Sequence, residues 1–161
     1  MIVILMGVTG VGKTTVGKLL AEKTGWPLYD ADDYHSPVNV EKMRAGIPLT
    51  DDDRWPWLDR LNAVLRAADG RGESAILPCS ALKQRYRDRL QLGMRDVRWV
   101  HLKGDFQLIQ SRLGQRKGHY MNPALLQSQF DALEPAADAI VVDVDDEPLA
   151  LAERVLAALR T

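Results

Sequence analysis

A chain of 161 residues, 46% hydrophobic and 27% charged, suits one globular domain (residues 1–161) with a well-buried core. Its net charge of −1 supplies no field to draw it to nucleic acid or anionic lipid, so neither is expected as a partner. A single cysteine, Cys79, excludes an internal disulfide, and the apolar run Ile2–Met6 is too short for a membrane span or the core of an export signal, which makes the cytoplasm the expected compartment.

The run Ile2-Val3-Ile4-Leu5-Met6 is continuously apolar, as a strand buried on both faces of a parallel sheet should be. A glycine-rich turn follows. Thr14 to Thr24 then predicts a helix with Val16, Leu19 and Leu20 on one side, closed by Gly25. Pro27-Leu28-Tyr29 predicts a second short strand that runs into the acidic cluster Asp30, Asp32 and Asp33. Trp57, Leu58, Leu61, Val64 and Leu65 recur at helical spacing and predict a helix over 55–68. Ala75 to Leu77 reads as a strand, and Ser80 as the cap of a helix carrying Lys83, Tyr86 and Leu90. Val97 to Leu102 is a further strand, and Asp105 caps a helix with Phe106, Ile109 and Leu113 on its apolar face. A last strand (139–144) and a helix (149–160) with Leu149, Leu156 and Leu159 as core complete the chain. Alternating strands and helices imply an α/β fold, with a parallel sheet of five strands covered on both faces. Ligands in such sheets sit beyond the carboxyl ends of the strands.

The turn after the first strand, Gly7-Val8-Thr9-Gly10-Val11-Gly12-Lys13-Thr14, matches G-x-x-x-x-G-K-[ST], the P-loop of nucleotide-binding proteins. Glycines let the backbone wrap a phosphate with its N–H groups inward, and the helix behind adds its positive end. Gly7, Gly10, Val11, Gly12 and Thr15 would form this cradle. Lys13 would reach the β- and γ-phosphates of ATP, and the Thr14 hydroxyl would help hold Mg²⁺. A chance glycine turn is the bland alternative, but the motif stands between a strand and a helix, as its mechanics require. No N-K-x-D element for guanine occurs, which argues against a GTPase switch.

The cluster Asp30-Ala31-Asp32-Asp33-Tyr34-His35 follows the second predicted strand, where a second substrate would sit. Transfer to an alcohol needs a carboxylate near the attacking hydroxyl and a metal ion on the phosphates. The strand at 75–77 ends in Pro78-Cys79-Ser80 and lacks a terminal acid, so Asp30 and Asp32 are the candidates for the metal-linked and base roles. Against this stands a solvated aspartate-rich loop. Gly114-Gln115-Arg116-Lys117-Gly118 has the basic, flexible character of a phosphate-covering lid, expected over residues 114–125. The four tryptophans include a possible stacking platform, although burial is their commoner use.

Longer blocks add to these motifs. Gly46-Ile47-Pro48-Leu49-Thr50-Asp51-Asp52-Asp53-Arg54 with Trp57-Leu58, Cys79-Ser80-Ala81-Leu82-Lys83 with Tyr86-Arg87-Asp88, and Leu102-Lys103-Gly104 follow the P-loop and acidic turn in order. Arg116-Lys117-Gly118-His119-Tyr120-Met121, Leu126-Gln127-Ser128-Gln129-Phe130 and Leu133-Glu134-Pro135 complete the series. Together they resemble the gluconate kinase family of P-loop kinases over nearly the whole chain. Thr9 and Val11 stand where many members carry serine, and Tyr120 where phenylalanine is common. The resemblance implies phosphorylation of D-gluconate to 6-phosphogluconate by ATP with Mg²⁺, an adenylate-kinase-like sheet with a small lid, and a homodimer. It implies Asp32 as the base, and His35, Arg54, Lys83 and Arg87 around the sugar acid. Arg112 would lie by adenine, and Arg116 and His119 would belong to the lid, with Arg116 at the transferring phosphoryl.

The chemistry of the acceptor agrees with that assignment, since arginine forks fix a carboxylate by two parallel hydrogen bonds. Arg54 could instead pair with Asp51 to Asp53, and Arg87 could be one charge on a solvated face with Arg85 and Arg89. Rival readings are another small-molecule kinase such as a shikimate kinase, which would want a glycine triplet where Pro78-Cys79-Ser80 stands, and a nucleotide-controlled binding module.

Overall fold

The computed structural model describes residues 1–115 and 123–161. Most of the lid expected over 114–125, including Arg116 and His119, lies outside the described residues. Among these residues the sheet is parallel and has four strands: β1 (Ile2–Met6), β2 (Ala75–Pro78), β3 (Val97–Lys103) and β4 (Ile140–Asp143), in the order β2-β1-β3-β4. β1 lies at the centre, and all five of its residues are fully buried.

Side chains alternate across the sheet and divide the core in two. Val3, Leu5, Val100, Leu102 and Val142 face one side, with residues of α1 (Lys13–Thr24), α5 (Phe106–Gln115), α6 (Pro123–Ala132) and α7 (Pro148–Leu159). Ile2, Ile4, Met6, Ala75 and Leu77 face the other, with Leu58, Leu61 and Leu65 of α3 (Asp51–Gly70) and Tyr86 and Leu90 of α4 (Gln84–Gln91). α7 buries Leu151, Ala152, Val155 and Leu159, whereas Leu149, expected in the core, is half exposed.

The fifth strand expected at Pro27-Leu28-Tyr29 is reduced to a single bridge, Leu28 beside Ile76. Its two hydrogen bonds run from Ile76 N–H to Pro27 O and from Tyr29 N–H to Ile76 O, each 2.9 Å. Pro27 has no N–H to extend the ladder backwards. Ahead of it, the Asp30 carboxylate accepts the Asp32 N–H at 2.9 Å and starts a 3-10 turn, Ala31–Tyr34.

Two further elements were not anticipated. α2 (Pro37–Arg44) begins at a Ser36 cap followed by proline at its first position, a start signal present in the sequence. α6 was not singled out either. α3 begins four residues earlier than its apolar period suggests, because Thr50 and Asp53 form a capping box. Ser80 does not cap α4: Lys83 occupies that position, and the Gln84 N–H is met instead by Glu134 Oε1 at 2.8 Å.

Candidate active site

Gly7 leaves β1 at φ +148°, where a side chain could not follow: a Cβ there would stand 2.6 Å from Leu102 O. Its N–H donates to Ser80 O at 3.3 Å, tying the loop to the end of β2. Gly12 closes the loop in the left-handed region, at φ +95°, and serves as the N-cap of α1. Lys13 folds back and donates from Nζ to Gly7 O at 2.9 Å and Val8 O at 3.0 Å. Loss of water around this ammonium lowers its pKa to about 8, with Cys79 and Asp32 pulling the other way.

A cavity of about 300 Å³ opens over this loop. Its lining combines Gly12, Lys13, Thr14 and Thr15 of the loop with Asp30, Asp32 and Trp57 and with Cys79 and Ser80 after β2. Asp32 has its pKa raised by partial burial and by neighbouring Asp30, and lowered by His35 and Lys13. The same burial pushes the Cys79 thiol up to about 12, so it is held as a neutral packing group.

A second cavity of about 320 Å³ also borders the loop, lined by Gly10, Val11, Thr15, Arg112, Asp146 and Glu147 among others. Both cavities share Gly10, Gly12 and Thr15. Arg112 donates to Val144 O.

Trp57 organises the segment that carries Asp30, Asp32 and His35. Its indole N–H donates to Ala31 O at 2.7 Å and pins the 3-10 turn, and its ring stacks on His35 at 4.2 Å. Burial lowers the His35 pKa, so at neutral pH the ring is the uncharged form. Asn39 of α2 lies 3.4 Å from His35 Nδ1 and donates to Asp53 O at 2.8 Å, joining α2 to the start of α3. One turn before Trp57, Arg54 donates to Tyr86 Oη at 3.1 Å, and Tyr86 donates onward to Asp51 at 2.6 Å. Arg85 meets Asp51 at 2.7 Å, and the charge of Lys83 is also felt there. Arg54, Lys83 and Arg85 thus gather around Asp51, with Arg54 pairing with it at 3.8 Å and also acting on His35.

Arg87, expected beside the sugar acid, is not in the lining of the cavity shared by Lys13 and Asp32, and its hydrogen bonds go to the loop before α4 and to the segment after α6. It is 2% exposed and donates to the carbonyls of Ala81, Leu82, Glu134 and Pro135 and to Gln84 Oε1. Ala81 holds a positive φ of 44°, and its carbonyl accepts from this guanidinium at 2.8 Å. Arg87 is a strut for the loop that carries Cys79 to Lys83. Its position beside Tyr86 and three residues before Leu90 puts it on the apolar face of α4, the sequence signal for this role.

Trp57, one of four tryptophans for which burial was the favoured reading over a stacking platform, stacks on His35, and Gln129 was not expected at the site. Indole stacking is visible only once His35 is placed, and Gln129 reaches Thr9 across 120 positions with no local signature.

Thr14 and Asp30 present hard oxygen donors to the same cavity, a set that fits Mg²⁺ with water and phosphate completing its shell.

Comparison with known proteins bears on this geometry. The family model described as an AAA domain matches residues 2–140. The chain is 47% identical to a probable gluconokinase of Rattus norvegicus, over 99% of this chain and 97% of that one. Its structure is similar to a sugar kinase of Janibacter sp. HTCC2649, at 44% identity and TM-score 0.90, covering 99% of this chain and 94% of the other. It is also similar to a gluconokinase of Sinorhizobium meliloti 1021, at 37% identity and TM-score 0.83, covering 98% and 94%.

Proposed function

The chain belongs to the gluconokinase family of P-loop kinases, and from that premise we propose how its site transfers the γ-phosphoryl group of ATP to the 6-hydroxyl of D-gluconate. The observation that carries the reading is that Lys13, from the nucleotide loop, and Asp32, from the acceptor turn, line one cavity and feel each other's charge.

Adenosine occupies the cavity beside Arg112 and the residues before α7, and the phosphates pass over Gly10 and Gly12 to Lys13. The Lys13 ammonium holds the β- and γ-phosphates while it is braced on Gly7 O and Val8 O. Gluconate lies between the 3-10 turn and the start of α3, with its carboxylate drawn to Arg54 and Lys83 and its hydroxyls toward His35. Asp32 takes the proton of the attacking hydroxyl. The new O–P bond forms as the bond from the γ-phosphorus to the β,γ-bridging oxygen breaks, and ADP leaves. A raised pKa makes the ionised Asp32 carboxylate a better proton acceptor than an ordinary aspartate. Mg²⁺, held by Thr14 with Asp30 nearby, would neutralise charge on the phosphate oxygens.

The family resemblance also supports a homodimer, which sedimentation would test. Among the described residues no helix is long and apolar enough to cross a membrane. The cytoplasm is the proposed compartment.

ADP release with Mg-ATP should be strongly stimulated by gluconate, and not by shikimate, glucose, glycerate or AMP. Stimulation by another compound would overturn the acceptor assignment, and silence across the panel would favour a nucleotide-controlled module.

A further inference from the structure

The apex of the phosphate loop is gripped by a residue from the other end of the chain. Thr9 donates its backbone N–H to Gln129 Oε1 at 2.7 Å, and Gln129 Nε2 donates back to the Thr9 hydroxyl at 3.0 Å. The orientation of the carboxamide follows from chemistry, because a backbone N–H can only donate and so requires the oxygen. Elsewhere the loop is tied by Gly7 N–H on Ser80 O and by Lys13 on Gly7 O and Val8 O. Thr9 lies beyond those ties, and its two bonds to Gln129 are what hold it among the described residues.

Gln129 stands on a firm support. Leu126 of α6 is 1% exposed, and Phe130 packs on Phe106 with centroids 5.9 Å apart. Just beyond, the Glu134 N–H donates to Leu82 O at 2.8 Å and its carboxylate accepts the Gln84 N–H at 2.8 Å. Arg87 donates to the carbonyls of Glu134 and Pro135, both at 3.0 Å. One short stretch, 129–135, therefore holds the nucleotide loop at one end and the acceptor-side loop at the other.

We propose that Gln129 is a positioning residue for the phosphoryl donor, fixing the apex of the phosphate loop in its receiving shape before the nucleotide arrives. Both hydrogen bonds join neutral groups and act on the same residue of the loop. Loss of both would leave the apex free to sample shapes that do not bind phosphate, and nucleotide affinity falls in proportion to the competent fraction. The inference rests on the reading that this loop receives the phosphates of ATP.

The test is titration of the full chain with Mg-ADP, together with steady-state kinetics, for Gln129→Ala and Thr9→Ala, at a temperature where circular dichroism shows each folded. Gln129→Ala should weaken Mg-ADP and raise the KM for ATP about 5- to 50-fold, leaving the KM for gluconate within about twofold. Thr9→Ala keeps the backbone arm and should show a smaller loss, about 2- to 5-fold, which keeps the proposal testable if Gln129→Ala does not fold. A lowered Tm with unchanged Mg-ADP affinity and unchanged KM for ATP would make Gln129 merely structural and overturn the proposal. Equal rises in both KM values would overturn its restriction to the donor side. If the unmutated chain binds Mg-ADP and the variants bind it equally, the inference alone fails. If the unmutated chain does not bind Mg-ADP, the nucleotide reading fails with it.

Discussion

The two walls of the active-site cavity are built in different ways. The nucleotide wall is one contiguous stretch, Gly7 to Thr15, shaped by glycines and closed by its own lysine. The acceptor wall is assembled from separate segments: the 3-10 turn, α2, the first turns of α3 and the loop into α4. These are joined by side chains such as Trp57 on Ala31 O, Asn39 on Asp53 O and Tyr86 on Asp51. A phosphate is the same anion in every nucleotide, so a local backbone device suffices to hold it. A particular polyol acid must be told from others by the placement of several polar groups, and this requires distant segments to converge.

Substitutions should separate the two walls. Lys13→Met removes the charge that meets the phosphates, and turnover should fall about 10²–10³-fold, by analogy with the loss of a single preorganised donor. Steady-state rates check this, and near-normal turnover would break the nucleotide half of the comparison. On the acceptor wall, Arg54→Met should raise the KM for gluconate about 10- to 100-fold, the equivalent of one charge-assisted hydrogen bond, with the KM for ATP little changed. Arg87→Met should instead act on stability. It deprives the buried Ala81 carbonyl of this donor and cuts the ties to Glu134 and Pro135, and chemical denaturation should show a loss of about 1–3 kcal/mol. If Arg87→Met proves fully stable yet fails to bind gluconate, its place as a strut is wrong.

The pH dependence sharpens the nucleotide side further. The free-state pKa of Lys13 is lowered to about 8, and a bound phosphate favours the charged form and raises it. Mg-ADP affinity should therefore be steady below pH 8 and weaken above it, by at most about tenfold per pH unit, until the bound-state pKa is passed. Titration calorimetry between pH 6.5 and 9.5 follows this limb, and a flat profile would contradict the depressed lysine.

The same division governs what could be read from the sequence. The phosphate loop was fully legible because its chemistry is local. Strands β1 to β4 were legible from apolar runs alone, and the supposed fifth failed because Pro27 cannot donate and Asp30 turns the chain at once. Toward the start of α3 and α4, residue type alone does not separate Arg85, Arg87 and Arg89; their register on α4 relative to Tyr86 and Leu90, which buries only Arg87, does. Trp57 does pack against the core, as expected, but nothing local reveals that His35 is the ring it stacks on.

Asp32 is the point at which the two walls must act together, so Asp32→Asn is the most direct test. Rapid-quench measurement of 6-phosphogluconate formation, with Mg-ADP and gluconate binding measured alongside, isolates the transfer step. The variant should bind both ligands within a few-fold of normal while transfer slows about 10²–10⁴-fold, the range of general-base catalysis. Transfer at the normal rate would contradict the assignment of Asp32 as base and with it the mechanism proposed for this cavity.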